Sequence, residues 1–287
     1  AVTHSVFWSI MTPLAARVAP FGRQSLGLAM VMGGTIVATV MGVPLGTRLG
    51  QIVGWQGAFF IIGLAAAVIW LVIYFVLPVC ESNRAGSLKS LPDLFRRPAL
   101  VQLYLLTLVV ILGQFTVYSY ISPILTTVTG MAESETVTVL FVFGISGIIG
   151  TILSTRSLDK HYSMALLVPL ILLTLCLGFF VLSMRQTWTM YVLVVVWGAC
   201  ISAVGMAFQT LLLNTARDAA DVATSMFSGI FNIGIGGGAF IGSKVSVALG
   251  FAAVPYVGAG LVGVCALACS LIFCFTGLYT FVPNREL

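Results

Sequence analysis

The chain has 287 residues, of which 60% are apolar and only 7% charged, with a net charge of +5 and a mean hydropathy of +1.13. A water-facing domain carries roughly 25% charged residues, so this inventory excludes a soluble globular fold and, with it, a nucleic-acid reading of the positive charge. Lipid is the solvent that fits such a chain, crossed by apolar helices of about 20 residues.

The first apolar stretch, at 1–15, meets Arg17 too soon to cross a bilayer, and it opens Ala1-Val2-Thr3-His4 without an initiator Met. It reads as a cut helix, with more of the protein expected upstream. Full spans are expected at 24–50, 56–78, 98–127, 136–156, 163–184, 187–214, 221–247 and 252–280. Most connections are short, as antiparallel neighbours require. The exception is 79–97, which is polar and carries Arg84, Lys89, Arg96 and Arg97. It reads as a linker between two bundles.

Alternation along these spans puts Arg17, Arg23, Arg84, Lys89, Arg96, Arg97, Arg156, Lys160, Arg217 and Arg285 on one side, and only Arg48, Arg185 and Lys244 on the other. Basic residues accumulate in cytoplasmic loops, so the first side is cytoplasmic. A complete chain with a cytoplasmic N-terminus then needs an odd number of helices upstream. Three would give twelve in all, with the basic linker after the sixth, as in transporters built from two related halves.

Three stretches have a more specific pattern. One is Gly42-Val43-Pro44-Leu45-Gly46 with Gly50, followed by Trp55 and Phe59-Phe60. A second runs from Gly86-Ser87-Leu88-Lys89-Ser90-Leu91-Pro92 through Arg96-Arg97-Pro98-Ala99-Leu100 to Tyr118-Ser119-Tyr120-Ile121. The third is Asp221-Val222-Ala223 with Phe227-Ser228-Gly229-Ile230-Phe231-Asn232-Ile233-Gly234-Ile235-Gly236-Gly237-Gly238. Glycines at such spacings give a helix a flat face that another backbone can approach, and Pro44 frees a carbonyl and can bend its helix.

On these stretches the chain resembles the major facilitator superfamily, and within it the drug:proton antiporter branch and the bacterial sugar efflux transporters. The resemblance implies an all-α integral membrane fold of major facilitator type, with about nine of twelve transmembrane helices present and the first three missing. Residues 1–78 would be helices four to six of the N-terminal bundle, 79–97 the cytoplasmic linker, and 98–287 helices seven to twelve. It implies a multi-pass, monomeric protein of the bacterial inner membrane, without a cofactor, that exports sugars or sugar analogues against protons by alternating access. Export of hydrophobic drugs is the alternative within the same branch. Gly42, Pro44, Gly46 and Gly50 would form the antiporter motif. The chain departs from the pattern at Gln56, where an Arg is usual, and keeps the superfamily's loop motif only loosely, in Gly150, Arg156, Asp159 and Lys160.

Polar groups inside the spans mark the candidate site. All eight acidic residues lie in loops or at helix ends. Of the two histidines, His161 belongs to a turn beside Lys160. His4 lies about 20 Å up its helix from Arg17 at 1.5 Å per residue, near the middle of the bilayer, with Trp8 four residues on. An ionisable group at that depth is costly and is a functional hypothesis by default, so His4 is the candidate proton-coupling residue. Cargo-lining candidates are Trp8, Gln114, Tyr118, Gln209, Phe231 and Asn232, with Tyr120, Ser122 and Phe227 nearby. Uncharged amides, hydroxyls and aromatic faces suit a sugar better than ion pairs do. For each amide the other reading is a hydrogen bond between helices.

The six cysteines show no metal-ligand spacing and read as small hydrophobes. A channel lacks its filter repeat or charge ring here. An intramembrane enzyme lacks Gly-x-Ser-x-Gly and paired acids at depth.

Overall fold

The computed structural model describes residues 24–78, 91–158, 162–183 and 186–276, together with Phe7, Met11, Leu14, Ala15, Val18 and Ala19. Among the described residues every regular element is helical. α1 is Gln24–Val76, α2 is Leu91–Phe95, α3 is Pro98–Tyr118, α4 is Ile121–Thr129 and α5 is Glu133–Leu158. α6 is Tyr162–Ser183 and α7 is Thr187–Thr215; after a 3-10 turn at Arg217–Ala219 comes α8, Ala220–Leu249, and after another at Phe251–Ala253 comes α9, Val254–Thr276. Apart from the short α2 and α4, these helices are largely apolar on every face, which suits spans whose outer faces meet lipid rather than water. Seven stretches are long and apolar enough to cross a membrane, the first being Val40–Val76 within α1. Of the expected first helix, at 1–15, only Phe7, Met11, Leu14 and Ala15 are described, and these are helical.

The chain forms two compact units, Phe7–Ala85 and Gly86–Leu287. In the first, α1 has two limbs that meet at Gly54, whose φ of 77° and ψ of 163° leave the helical region. A side chain there would be strained, so glycine suits this joint. The break falls between the expected spans 24–50 and 56–78. Pro44 lies inside α1, and the backbone keeps helical dihedral angles through it. A Cβ added at Gly42, Gly46 or Gly50 would meet no atom within 4 Å, so among the described residues nothing is packed tightly against this stripe.

In the second unit, six spans pack in the neighbour order α5, α7, α6, α9, α3, α8. Glycine sets three of these seams, including α3 against α9, where a Cβ at Gly113 would lie 2.8 Å from the Gly258 oxygen. A Cβ at Gly150 of α5 would lie 2.0 Å from the Ala199 carbonyl oxygen of α7. On α8, a Cβ at Gly238 would lie 2.6 Å from the Leu112 oxygen of α3, and one at Gly242 2.6 Å from the Thr116 oxygen. These α8 glycines work as tight packing against α3. Fully buried Trp197, Phe180 and Phe208 fill the space between the helices.

Two details differ from the sequence expectation. The span expected as one helix over 98–127 is broken at Ser119–Tyr120, where Tyr120 sits at φ −116° and ψ 13°. Pro123 explains the break: it has no N–H for the Ser119 carbonyl, and its ring crowds that same oxygen. The expected linker 79–97 also ends in structure, because α2 lies within it and buries Leu94 completely. Residues 79–90 lie outside the described residues.

Candidate functional site

α3 places Gln114, Phe115 and Tyr118 within little more than one turn. Gln114 is only 3% exposed, and its Oε1 accepts a hydrogen bond from Trp197 Nε1 of α7 at 2.5 Å. Around that bond lies a run of aromatic rings. Phe180 of α6 and Phe143 of α5 each stand edge-on to Trp197, at 5.3 Å between centroids. Tyr118 tilts over Phe143 at 4.9 Å and meets Trp197 at 6.2 Å. Phe115 touches Tyr118 at 5.7 Å and Phe231 of α8 at 6.5 Å, and Phe227 follows Phe231 at 6.3 Å. The result is an aromatic ribbon across the bundle, buried at its Trp197 end and half-buried from Phe143 to Phe227.

Two polar groups on the ribbon have no hydrogen-bond partner among the described residues. Tyr104, Tyr120 and Tyr162 each donate to a carbonyl of a neighbouring helix, at Ala223, Ala239 and Ala207. Among the described residues the Tyr118 hydroxyl makes no such bond, and neither does Gln114 Nε2. The aromatic edges and faces offer offset and T-shaped packing to a ring-shaped ligand. The free hydroxyl and amide add hydrogen bonding without charge.

The sequence of α3, α6, α7 and α9 contains no Asp, Glu, Lys or Arg. A charged pair ties helix ends together. Arg97, which precedes α3, donates through both terminal nitrogens to the Asp218 carboxylate at 2.7 and 2.6 Å, and to the Thr215 carbonyl at 3.3 Å. This forked pair joins the start of α3 to the turn between α7 and α8. The Arg97 hydrogen bonds hold the Asp218 pKa down to about 2, and those same bonds raise the Arg97 pKa above its ordinary value.

A sequence profile of the Major Facilitator Superfamily matches residues 1–239. The chain belongs to the major facilitator superfamily. It is therefore a multi-pass membrane transport protein, with a small-molecule substrate and a lipid setting. The fold is similar to that of a bacterial homologue of the human lysosomal transporter Spinster, solved in an inward-facing and unoccupied conformation. The two share 13% identity over 98% of this chain and 81% of that one, at a TM-score of 0.55. At that identity the likeness concerns the fold alone.

The residues expected at the site of this facilitator fall into three groups. Gln114, Tyr118 and Phe231 come together in the ribbon. Asn232 follows Phe231 but turns its Nδ2 back to the Ser228 carbonyl at 2.8 Å. Gln209 is exposed on α7, about 18 Å along the helix from Trp197 at 1.5 Å per residue. His4 and Trp8 lie outside the described residues. Trp197, Phe115 and Phe143 were not anticipated. The signal in the sequence was Trp197 itself: an indole N–H inside an apolar run must find an acceptor, and Gln114 is the amide within reach.

Proposed function

We propose that this facilitator is a proton-coupled efflux transporter for sugars or sugar analogues in the bacterial inner membrane, working by alternating access. One observation carries the reading: a half-buried aromatic ribbon bearing an uncharged hydroxyl and an uncharged amide, both on α3, whose sequence, like that of α7 beside it, contains no Asp, Glu, Lys or Arg. Aromatic faces pack on the C–H faces of a sugar ring, and neutral polar groups meet its hydroxyls. Cargo charge is not required by anything in this arrangement. The sequence resemblance to sugar exporters supports the same class.

Proton coupling is assigned to His4, a group that titrates near neutral pH at mid-membrane depth. Residues 79–97 are assigned to a cytoplasmic linker between the last helices of an N-terminal bundle and the C-terminal bundle 98–287; Gly42, Pro44, Gly46 and Gly50 keep the antiporter motif role. Driving force is adequate, since one proton moving through about 150 mV supplies roughly 3.5 kcal/mol.

Flux in proteoliposomes tests the reading. A thiogalactoside should be moved uphill when a pH gradient is imposed, and His4→Gln should lose uphill movement while keeping downhill counterflow. Uphill transport that survives in His4→Gln, or flux indifferent to pH, would remove the coupling assignment. A flat hydrophobic compound also suits the aromatic ribbon, and its transport in place of the thiogalactoside would move the protein to the multidrug class.

A further inference from the structure

We propose that Trp197 is a positioning residue that holds the Gln114 amide with its NH2 group toward the cargo, so that the site selects neutral, acceptor-bearing ligands over cations. This rests on the function proposed above and narrows its substrate class.

An indole has one N–H and no acceptor, whereas a glutamine amide has an acceptor at one end and two donors at the other. The atom facing Trp197 Nε1 at 2.5 Å is therefore Gln114 Oε1. Trp197 has no freedom to release it. Its side chain is 0% exposed and edged by Phe143, Phe180 and Tyr118. Turning the amide over would set donor against donor in an apolar core, leaving the indole N–H unpaired where that is most costly. The oxygen is thus committed, and Nε2 is the end that remains, with no partner among the described residues.

The direction of this amide decides specificity because the ribbon alone does not. Aromatic faces attract cations, so Phe115, Tyr118, Phe143 and Phe231 by themselves would tolerate an organic cation. An NH2 group beside them opposes it with the positive end of its dipole, and no carboxylate stands on α3 or α7 to offset that effect. A ring oxygen, ether or hydroxyl oxygen instead accepts from Nε2. The Tyr118 hydroxyl, four residues further along α3, is free to bond the same ligand.

Equilibrium binding of two probes to the whole chain in nanodiscs tests this: isopropyl thiogalactoside as the neutral acceptor, and tetraphenylphosphonium as the cation. The readout is the ratio of the two affinities, which a partly misfolded sample leaves unchanged because it loses sites for both probes alike. The wild type should favour the thiogalactoside. Gln114→Glu keeps an oxygen for the Trp197 N–H but presents a second oxygen to the cargo, and should swing the ratio toward the cation by about tenfold or more. Trp197→Phe keeps an aromatic ring but frees the amide, and should narrow the ratio while Gln114 is intact. Tyr118→Phe, which breaks no internal hydrogen bond, should weaken the thiogalactoside alone. A wild type that binds the thiogalactoside with a ratio unmoved by all three variants would overturn the amide's role and leave the sugar reading standing. A wild type that prefers the cation, or binds neither probe, would overturn both.

Discussion

The apolar part of α1, Val40–Val76, and the six spans of the second unit are written in the same kind of sequence, with mean hydropathies of 2.7 against 1.3 to 2.8. Their burial differs sharply. No residue of the most apolar 18-residue window of α1 is buried, against 17% to 56% of such windows in the six spans. In α1, Trp55 and Trp70 are 68% and 63% exposed, while Trp197 in the bundle is 0% exposed. Water drives neither arrangement, because lipid tails are as apolar as the side chains they would replace. What separates the two regions is the set of partners each helix meets among the described residues. The bundle has glycines that meet partners, donors that meet acceptors and rings that meet rings. The glycines Gly42, Gly46 and Gly50 of α1 meet no neighbour among the described residues.

The largest loss of stability is expected at a glycine seam. Gly150→Ala would drive a Cβ to 2.0 Å from the Ala199 oxygen and 2.5 Å from its Cα, atoms that cannot step aside. The expected cost is about 3 kcal/mol or more, seen as loss of monodisperse protein or a large fall in thermal midpoint in detergent. Gly46→Ala in α1 should be neutral or slightly stabilising, since it adds helix propensity in open space.

Next come the tryptophans. Trp197→Ala should cost about 3 to 5 kcal/mol through the cavity and the orphaned Gln114 oxygen, whereas Trp70→Ala should stay within about 0.5 kcal/mol. Thermal unfolding of both variants side by side checks this contrast. Equal effects would show that exposure in the first unit is not a guide to packing there.

A finer contrast lies within α3. Tyr104→Phe removes a hydrogen bond of 3.1 Å to the Ala223 carbonyl and should cost on the order of 0.6 to 1 kcal/mol. Tyr118→Phe removes no such bond and should leave the melting temperature unchanged while weakening ligand binding. If Tyr118→Phe destabilises as much as Tyr104→Phe, its hydroxyl is structural.

The smallest effect concerns the Arg97–Asp218 fork. Asp218 has its pKa lowered from an ordinary 3.8 to about 2 in the folded protein. A depressed carboxylate pKa favours folding above the unfolded value, so this contribution is full above about pH 4 and is lost as pH falls toward 2. The pair is largely exposed, so salt should weaken it further. Melts of wild type and Asp218→Asn should converge as the pH drops through that window, and the two should run in parallel from pH 5 to 8.

The spans were legible in the sequence because apolar runs divided by charged and Pro/Gly breaks are what a bilayer imposes, and Gly54 fell in the gap left between two of them. The break at Ser119–Tyr120 was not legible from hydropathy. Its cause, Pro123, acts four residues upstream on a carbonyl rather than at its own position. Of the candidate site, Gln114 and Tyr118 were found as polar residues one turn apart. Whether their polar ends faced a helix or a ligand depended on Trp197, which lies 83 residues away from Gln114 in the chain. An amide such as Gln209 reads the same as Gln114 on paper, yet it lies exposed on α7. Pattern identifies the polar residues of a span; only the neighbouring helix decides which end of each is spoken for.

Pro123 also acts as a length mark. α3 has 21 residues, or about 32 Å at 1.5 Å per residue, which already matches a hydrocarbon layer of about 30 Å. The nine residues of α4 therefore extend the chain beyond the length that a hydrocarbon layer requires. There Ile121, Ile124 and Leu125 point inward, while Thr126 and Thr127 bond back to the carbonyls of Ser122 and Pro123. The Ser119 carbonyl is the one that proline leaves without a helical donor. The bend thus works as a collar on the shaft, ending one span-length helix and starting a short one that turns back onto the bundle.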